Sequence, residues 1–346
     1  MKFGKFKLAV SAVAMVFTST GLQADGIDQA YKFKMANVLA PVHHISLAVD
    51  KFAEIASEKS AGKITIRTYH GGQLGSGKET FEAVQAGFMD MATDSYANLY
   101  TLTPAFEPFH LPYIFESRSQ QLATFQSQKV IDKVDEQLNG VGLKWLMTAE
   151  FAPRQIATKE KPINSPADLK GLKLRASRSP LEIDAQGAWG ASGVTVDWPS
   201  VPEALRTGLV DGETVGYDSI FSAKHYVDSI QYFTEINFQT YGLAVVFNHK
   251  KWSALPDAVK AVLQESAREA EVWHKDFLAD FVNDAKAQMI ASGNEVFVPD
   301  AETKAAFKKL AKESVWAKHV GKGVDQAMVD LIMEEMGPAE EGEWFK

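Results

Sequence analysis

The chain contains no cysteine. That excludes disulfide staples, thiolate nucleophiles and cysteine-based zinc sites. At 346 residues and 46% hydrophobic, it must hold together by ordinary burial. Its length exceeds the ~250–300 residues at which one core stops growing, so two lobes are expected. Positive charge is also scarce, with 36 Lys and Arg against 44 Asp and Glu. So acidic a chain is a poor partner for nucleic acid or an anionic lipid surface, and an anionic ligand would need a local positive site. Beyond the first two dozen residues no run is apolar and long enough to span a bilayer. The enzyme signatures H-E-x-x-H and G-x-S-x-G are missing. A phosphate-loop spacing occurs at Gly72, Gly77 and Lys78, but Glu79 stands where Ser or Thr would hold Mg2+. It reads as a turn into a helix whose N-terminus is free to face an anion. His43 and His44 form no metal set, because adjacent side chains on a loop point apart and no third ligand is spaced for them. No cofactor is expected.

What is present begins with an export signal. Lys2, Lys5 and Lys7 form a basic segment, residues 8–17 an apolar core too short to span a bilayer, and Leu22-Gln23-Ala24 a cleavage site. The mature chain would start near Asp25, in the periplasm. Losing three lysines and no acid moves the net charge from −8 to −11.

Residues 31–39 alternate apolar and polar side chains and read as a strand. After Ala40-Pro41, Ile45, Val49, Phe52 and Ala56 mark a helical stripe that Gly62 closes. Residues 63–69 alternate again, Phe81 and Val84 face inward from a second helix, and 89–93 is a third strand. This succession predicts a parallel α/β sheet, whose ligands bind beyond the carboxyl ends of its strands. The loops at 43–44, 74–78 and 94–96 are site candidates on that ground. A second unit repeats the alternation, with 173–176, 193–196, 212–218 and 241–248 extended and helices over 180–187 and 202–207. No low-complexity linker separates the units, so a hinge of crossing strands is expected. From 257 to 290 there is no Gly or Pro, and Val259, Leu263, Ala267, Ala270, Trp273, Phe277 and Phe281 keep helical spacing. One helix of roughly 50 Å that touches both lobes is the preferred reading. Two helices with an unmarked bend is the alternative.

Arg154 and Arg175 carry the chemistry. A guanidinium fork pairs bidentately with a carboxylate, which Lys cannot copy. The competing reading for Arg175 is an ion pair with Asp184, and for Arg154 one with Glu150, four residues before it. Glu150 could equally meet a ligand hydroxyl or amine. Trp198, Tyr217, Phe221 and Tyr96 divide between cleft lining and core packing. Trp198, at a strand end, suits the cleft best. One of His43 and His44, taken as His44, would donate a hydrogen bond into the cleft.

Several segments resemble the solute-binding proteins of TRAP transporters, the DctP family. Gly72-Gln73-Leu74-Gly75 is similar to that family's Q-L-G turn, and 111–115 (LPYIF) to its L-P-F-x-F segment. The nearest likeness runs from Arg154 through Pro162, Pro166 and Asp168 to the Lys173-Leu174-Arg175 strand. Val210-Asp211-Gly212 resembles its V-D-G motif. The resemblance implies a two-lobed α/β binding protein with hinge strands and a long bridging helix. It also implies delivery of a small organic acid, a carboxylate or sulfonate, to the small and large membrane components of a sodium-driven permease. Arg175 falls on the family's carboxylate-binding arginine, Arg154 on its second, and Trp198 near a cleft aromatic. Where relatives carry V-D-G-Q-E-N, this chain has Glu213-Thr214-Val215, so the asparagine contact is absent or supplied elsewhere.

The expected organisation is a signal over 1–24, a first lobe over 25–151 plus 241–275, and a second over 152–240 plus 276–346. Arg175 would anchor the acid and Arg154 assist. Glu150, Asp94, Tyr96, His44, Tyr217 and Glu213 would read the rest, with Trp198 as a shield. The protein would be a monomer without enzymatic activity. The alternatives are the binding component of an ABC importer and a periplasmic hydrolase using Asp94 and Glu150.

Overall fold

A computed structural model describes residues 26–339 and residue 344. The expected export signal and cleavage site lie outside them. Eleven strands form two sheets among the described residues. The first contains β1 (Tyr31–Asn37), β2 (Ile64–Tyr69), β3 (Met91–Ser95), β4 (Leu143–Glu150) and β10 (Gly242–Asn248), in the order β2-β1-β3-β10-β4. The second contains β5 (Gln155–Thr158), β6 (Lys173–Ala176), β7 (Ser192–Thr195), β8 (Gly212–Val215), β9 (Tyr232–Thr234) and β11 (Glu295–Phe297), in the order β11-β9-β5-β8-β6-β7.

Neither sheet is wholly parallel as expected. β10 runs antiparallel to both β3 and β4, and β5 antiparallel to both β8 and β9. These are the two strands that arrive from the opposite sheet, so each enters against the local direction. The two connections, 151–154 and 235–241, run side by side. Phe151 N donates to Tyr241 O at 3.2 Å and Arg154 N to Gln239 O at 2.9 Å, while Phe238 N returns a bond to Arg154 O. The hinge is therefore a hydrogen-bonded pair of chain segments.

The anticipated stripe of Ile45, Val49, Phe52 and Ala56 is fully buried on the helix His44–Lys59. β10 buries every side chain, as a central strand covered on both faces should. The stretch 212–218 is not extended throughout. β8 stops at Val215, Gly216 keeps an extended backbone, and Tyr217–Ala223 is a helix with Asp218 in its first turn. The long element is one helix of 35 residues, Asp257–Ala291. Its first half buries Val259, Leu263, Ala267 and Ala270 against the first sheet's core, and its second half buries Leu278, Val282 and Met289 against the second's. The bent pair of helices is thereby excluded, because an unbroken run of helix formers spans both surfaces.

The C-terminal region does not stay with the second sheet. Phe307, on the helix Ala301–Ala311, packs edge-on against Trp189. Trp316 then donates to Pro112 O at 3.0 Å. The last helix, Gln326–Glu335, packs on the helices Arg118–Gln126 and Gln128–Gly140 of the first lobe, with Glu335 accepting from Ser127 Oγ at 2.7 Å. The chain thus crosses back.

Tyr96 belongs to this core and not to the cleft. It is fully buried and stacked on Phe106 at 4.1 Å, with its hydroxyl bonded to Thr148. Its ring lies so close to Gly242 that an added Cβ there would sit 2.5 Å from the ring edge. Replacing Gly242 by alanine should destabilise the fold by about 1–3 kcal/mol through overpacking. Urea unfolding would show this as a lower midpoint at unchanged slope; an unmoved midpoint contradicts the packing described.

Candidate functional site

The strand ends of both sheets converge on one small cavity between the lobes. Leu39 follows β1, Asp94 and Ser95 close β3, Arg175 and Ser177 end β6, and Trp198 follows β7. Phe151, Arg154 and Tyr241 come from the hinge, and Ser219 from the helix after β8. This is the crevice at the carboxyl ends of strands where α/β sheets bind ligands. The remaining space is about 30 Å3, far below the ~300–1,000 Å3 of a small-molecule pocket. The lobes are closed on each other here, and Pro199 sits against the Gly72 turn of the opposite lobe.

The two arginines divide the work. Arg154 Nη1 donates to Glu182 at 2.9 Å and to the Thr214 carbonyl, and its guanidinium lies 4.1 Å over the Tyr241 ring. Glu182 also accepts from Thr214 Oγ1 at 2.5 Å, from Ser177 N at 2.9 Å and from Ser177 Oγ. Burial would raise the Glu182 carboxyl, but Arg154, Arg175 and these donors hold it below its ordinary value. Arg175 is 6% exposed; its Nε donates to Val196 O at 3.0 Å and its guanidinium faces the Trp198 ring at 5.4 Å. No carboxylate among the described residues lies within ion-pair distance of it. Asp184, the competing partner, is taken by Lys318 and His319. Burial lowers the Arg175 pKa, which is the mark of a desolvated cation.

Below the cavity a polar chain joins the lobes. His44 Nε2 lies 2.8 Å from Asp218 Oδ2, and its Nδ1 lies 2.8 Å from His274 Nε2 on the long helix. Asp218 also accepts from Ala152 N at 3.0 Å. With Asp218 accepting, His44 carries its proton on Nε2, and its Nδ1 accepts a hydrogen bond from His274 Nε2. His43 caps its helix by accepting from Ile45 N, so its proton sits on Nε2 and points at Ser219 Oγ, 3.3 Å away. His43, His44 and Asp218 lie close enough to surround a cation. The fold therefore supplies the third group that sequence spacing did not, but the Nδ1 lone pair of each ring is already engaged. Burial pushes the His44 pKa down to about 3 and those of His43 and His274 well below normal, while it raises Asp218.

Of the residues singled out in the sequence, Arg175, Arg154, Trp198 and Asp94 line this cavity, while five others do not. Glu150 is bound to Arg118 at 2.9 Å and not to Arg154. It also lines a different cavity from Asp94, which separates the two proposed hydrolytic carboxylates. Tyr96 is core. His44 is held by Asp218. Glu213 is fully buried on β8 and pairs with His225 at 2.7 Å. Tyr217 faces the far side of the hinge, where its hydroxyl donates to Glu235 at 2.9 Å. That side has a larger cavity of about 590 Å3, but Lys286 and Lys308 on its wall are paired with Glu235 and Glu116. Phe221 lies against Phe281. Glu182 was missed; its trace in the sequence is an acid in the first turn after Ser179-Pro180. Lys78 pairs with Glu82, and Ser76 and Glu79 form a capping box, so the glycine-rich turn is a helix start.

Known proteins match nearly the whole chain. The family model described as "Bacterial extracellular solute-binding protein, family 7" (DctP) matches residues 35–322. The chain is 27% identical over 323 residues to the 2,3-diketo-L-gulonate-binding periplasmic protein of Escherichia coli, covering 92% of this chain and 95% of that one. It is 28% identical over 290 residues to a C4-dicarboxylate-binding protein of Bacillus subtilis, covering 83% and 82%. A TRAP periplasmic solute-binding protein of Roseobacter denitrificans, solved with bound β-D-glucuronate, superposes with a TM-score of 0.81 at 24% identity. That match covers 88% of this chain and all of the other.

The histidine chain makes stability depend on pH. The folded His44 pKa of about 3 lies below the unfolded value of 6.5. Between these values only the unfolded chain takes up the proton, so stability is full above 6.5 and falls as pH drops toward 3. Gln at position 44 can still donate to Asp218 but cannot titrate. The stability advantage of wild type over His44→Gln should therefore shrink by about 2–3 kcal/mol between pH 7.5 and 4.5. Urea unfolding at the two pH values measures it, and a constant difference contradicts the assignment.

Proposed function

The chain belongs to the bacterial extracellular solute-binding protein family 7, and from that premise we propose that it captures a small organic acid anion in the periplasm and delivers it to a sodium-driven TRAP permease. The observation that carries this reading is Arg175. It is a buried guanidinium on a cavity wall, with its outer nitrogens free of any described carboxylate. Such a group is costly to bury alone and is best satisfied by a ligand acid in a bidentate pair. The relatives' names point the same way, since a diketogulonate, C4-dicarboxylates and a glucuronate are all organic acids.

Binding would proceed by hinge closure. The lobes, taken as 26–151 plus 241–275 with the helix Gln326–Glu335 carried on it, and 152–240 plus 276–311, part along 151–154 and 235–241. The acid docks on Arg175, Arg154 turns its remaining donors toward it, and Trp198 closes over it. Contacts from both lobes then favour the closed form, which the small and large permease subunits would recognise. A monomer suffices for this shuttle, and cleavage near Ala24 would release it into the periplasm.

A hydrolytic reading finds little support at the cavity. The Ser219–His43 contact superficially fits a nucleophile and base. However, His43 Nδ1 accepts from Ile45 N, so Nε2 holds the proton and cannot take one from Ser219.

Arg175→Ala should weaken binding of the cognate acid by about 2–5 kcal/mol, whereas Arg175→Lys should recover only part of it. Calorimetric titration with organic acids, D-glucuronate and succinate among them, provides the measurement. Binding that survives Arg175→Ala at full strength would rule out the anchor.

A further inference from the structure

The charges around the cavity come from both lobes and differ in sign. Arg154 is matched by Glu182, so its charge is spent within the protein. Arg175 contributes one free positive charge from the second lobe. The first lobe answers with a negative one. Asp94, at the end of β3, is 4% exposed and lines the same cavity.

Asp94 is fixed in place. Its Oδ1 accepts from Ser95 N at 2.7 Å, and its Oδ2 from Asn98 Nδ2. The carboxylate packs directly on Gly77, where an added Cβ would overlap Oδ2. No cation among the described residues reaches ion-pair distance of it. Each oxygen has one lone pair engaged by these bonds and another to offer, so it can accept but not donate. Burial pushes its carboxyl up to about 6, against the opposing pull of Ser95 N, Asn98 and the Arg175 guanidinium, so it is mostly ionised at neutral pH. Asp197, beside Trp198, adds further negative potential at this end, although Arg178 partly offsets it at 2.8 Å. Apart from the two arginines, the rest of the wall is uncharged: Ser95, Asn98, Ser177 and Ser219 are polar, while Leu39, Phe151, Trp198 and Tyr241 are apolar or aromatic.

We propose that Asp94 is the specificity-determining residue, accepting a hydroxyl or ammonium hydrogen from the far end of a monocarboxylate held by Arg175 and repelling a second carboxylate there. The ligand class is then hydroxy or amino monocarboxylic acids, sugar acids included, and not dicarboxylates. A hydroxyl facing Asp94 gains a charge-assisted bond. A carboxylate facing it meets a like charge in a desolvated space, and discrimination of this kind is built by repulsion. The proposal rests on Arg175 as the acid anchor.

The test uses matched acids that differ only at the far end, 4-hydroxybutyrate against succinate and D-gluconate against D-glucarate, within a wider panel of both classes. Calorimetric titration of the mature protein should favour the monocarboxylate of a binding pair by about tenfold or more. Asp94→Asn should weaken that member and narrow the ratio about tenfold. Asp94→Ser, which removes the charge without a second amide beside Asn98, should narrow it likewise. Unfolding curves confirm that both variants fold. Equal binding of both members by wild type, or a ratio that neither variant moves, overturns the role of Asp94. So does a panel in which no monocarboxylate binds. If Arg175→Ala abolishes binding in such a result, the anchor stands and only the Asp94 inference falls. If Arg175→Ala leaves binding intact, it is the anchor that fails.

Discussion

Two guanidiniums buried in one wall repel each other, and the carboxylate of Glu182 makes that arrangement tolerable. It sits on the helix Pro180–Ala188, receives Arg154, and is itself held by Ser177 and Thr214. Its oxygens are saturated by these donors, so it has no bond left for Arg175. One cation is thereby neutralised within the fold and the other is reserved. A buried ion pair of this kind is weak evidence for stability, because desolvation consumes most of its Coulomb gain. Its consequence lies in the charge it leaves over.

The same logic governs the lobe contact. His44 and Asp218 meet in full burial only when the lobes are together, and His274 on the long helix completes the chain. Each partner would be an unsatisfied polar group if left alone at this depth. Closure therefore matches donors with acceptors at the base of the cleft while Trp198 and Asp94 approach across its mouth. The long helix makes this geometry repeatable. Its two halves belong to two cores, so it is a rod against which both lobes are registered.

Much of the architecture is legible in local pattern. The stripe on His44–Lys59, the alternation of β1 and β2 and the uninterrupted run of Asp257–Ala291 all follow from the spacing of apolar residues. Arg175 is legible as well, because a motif fixes it at a strand end. The site's other members are harder. Tyr96 and Asp94 are two residues apart on the same segment, yet one is core and the other cavity wall. Sequence cannot say which, since the choice depends on Phe106 and Gly242 filling the space beside the ring. Glu182, and not the expected Glu150, is the partner of Arg154 for a similar reason. Arg118 captures Glu150, and Glu182 lies 28 residues from the arginine it serves.

The sequence by itself determined the α/β alternation, the division into two lobes, the unbroken run of helix formers over 257–290 and the arginine at the end of β6. These depend on period and local backbone preference, which act over a few neighbouring residues. Only the tertiary structure decided which charges cancel and which remain. His44 and Asp218 are 174 residues apart, and Asp94 and Arg175 come from different sheets. Whether a charged group is free depends on what folding brings within a few ångströms of it and on how much water it loses there. Neither quantity exists until the lobes have formed and closed.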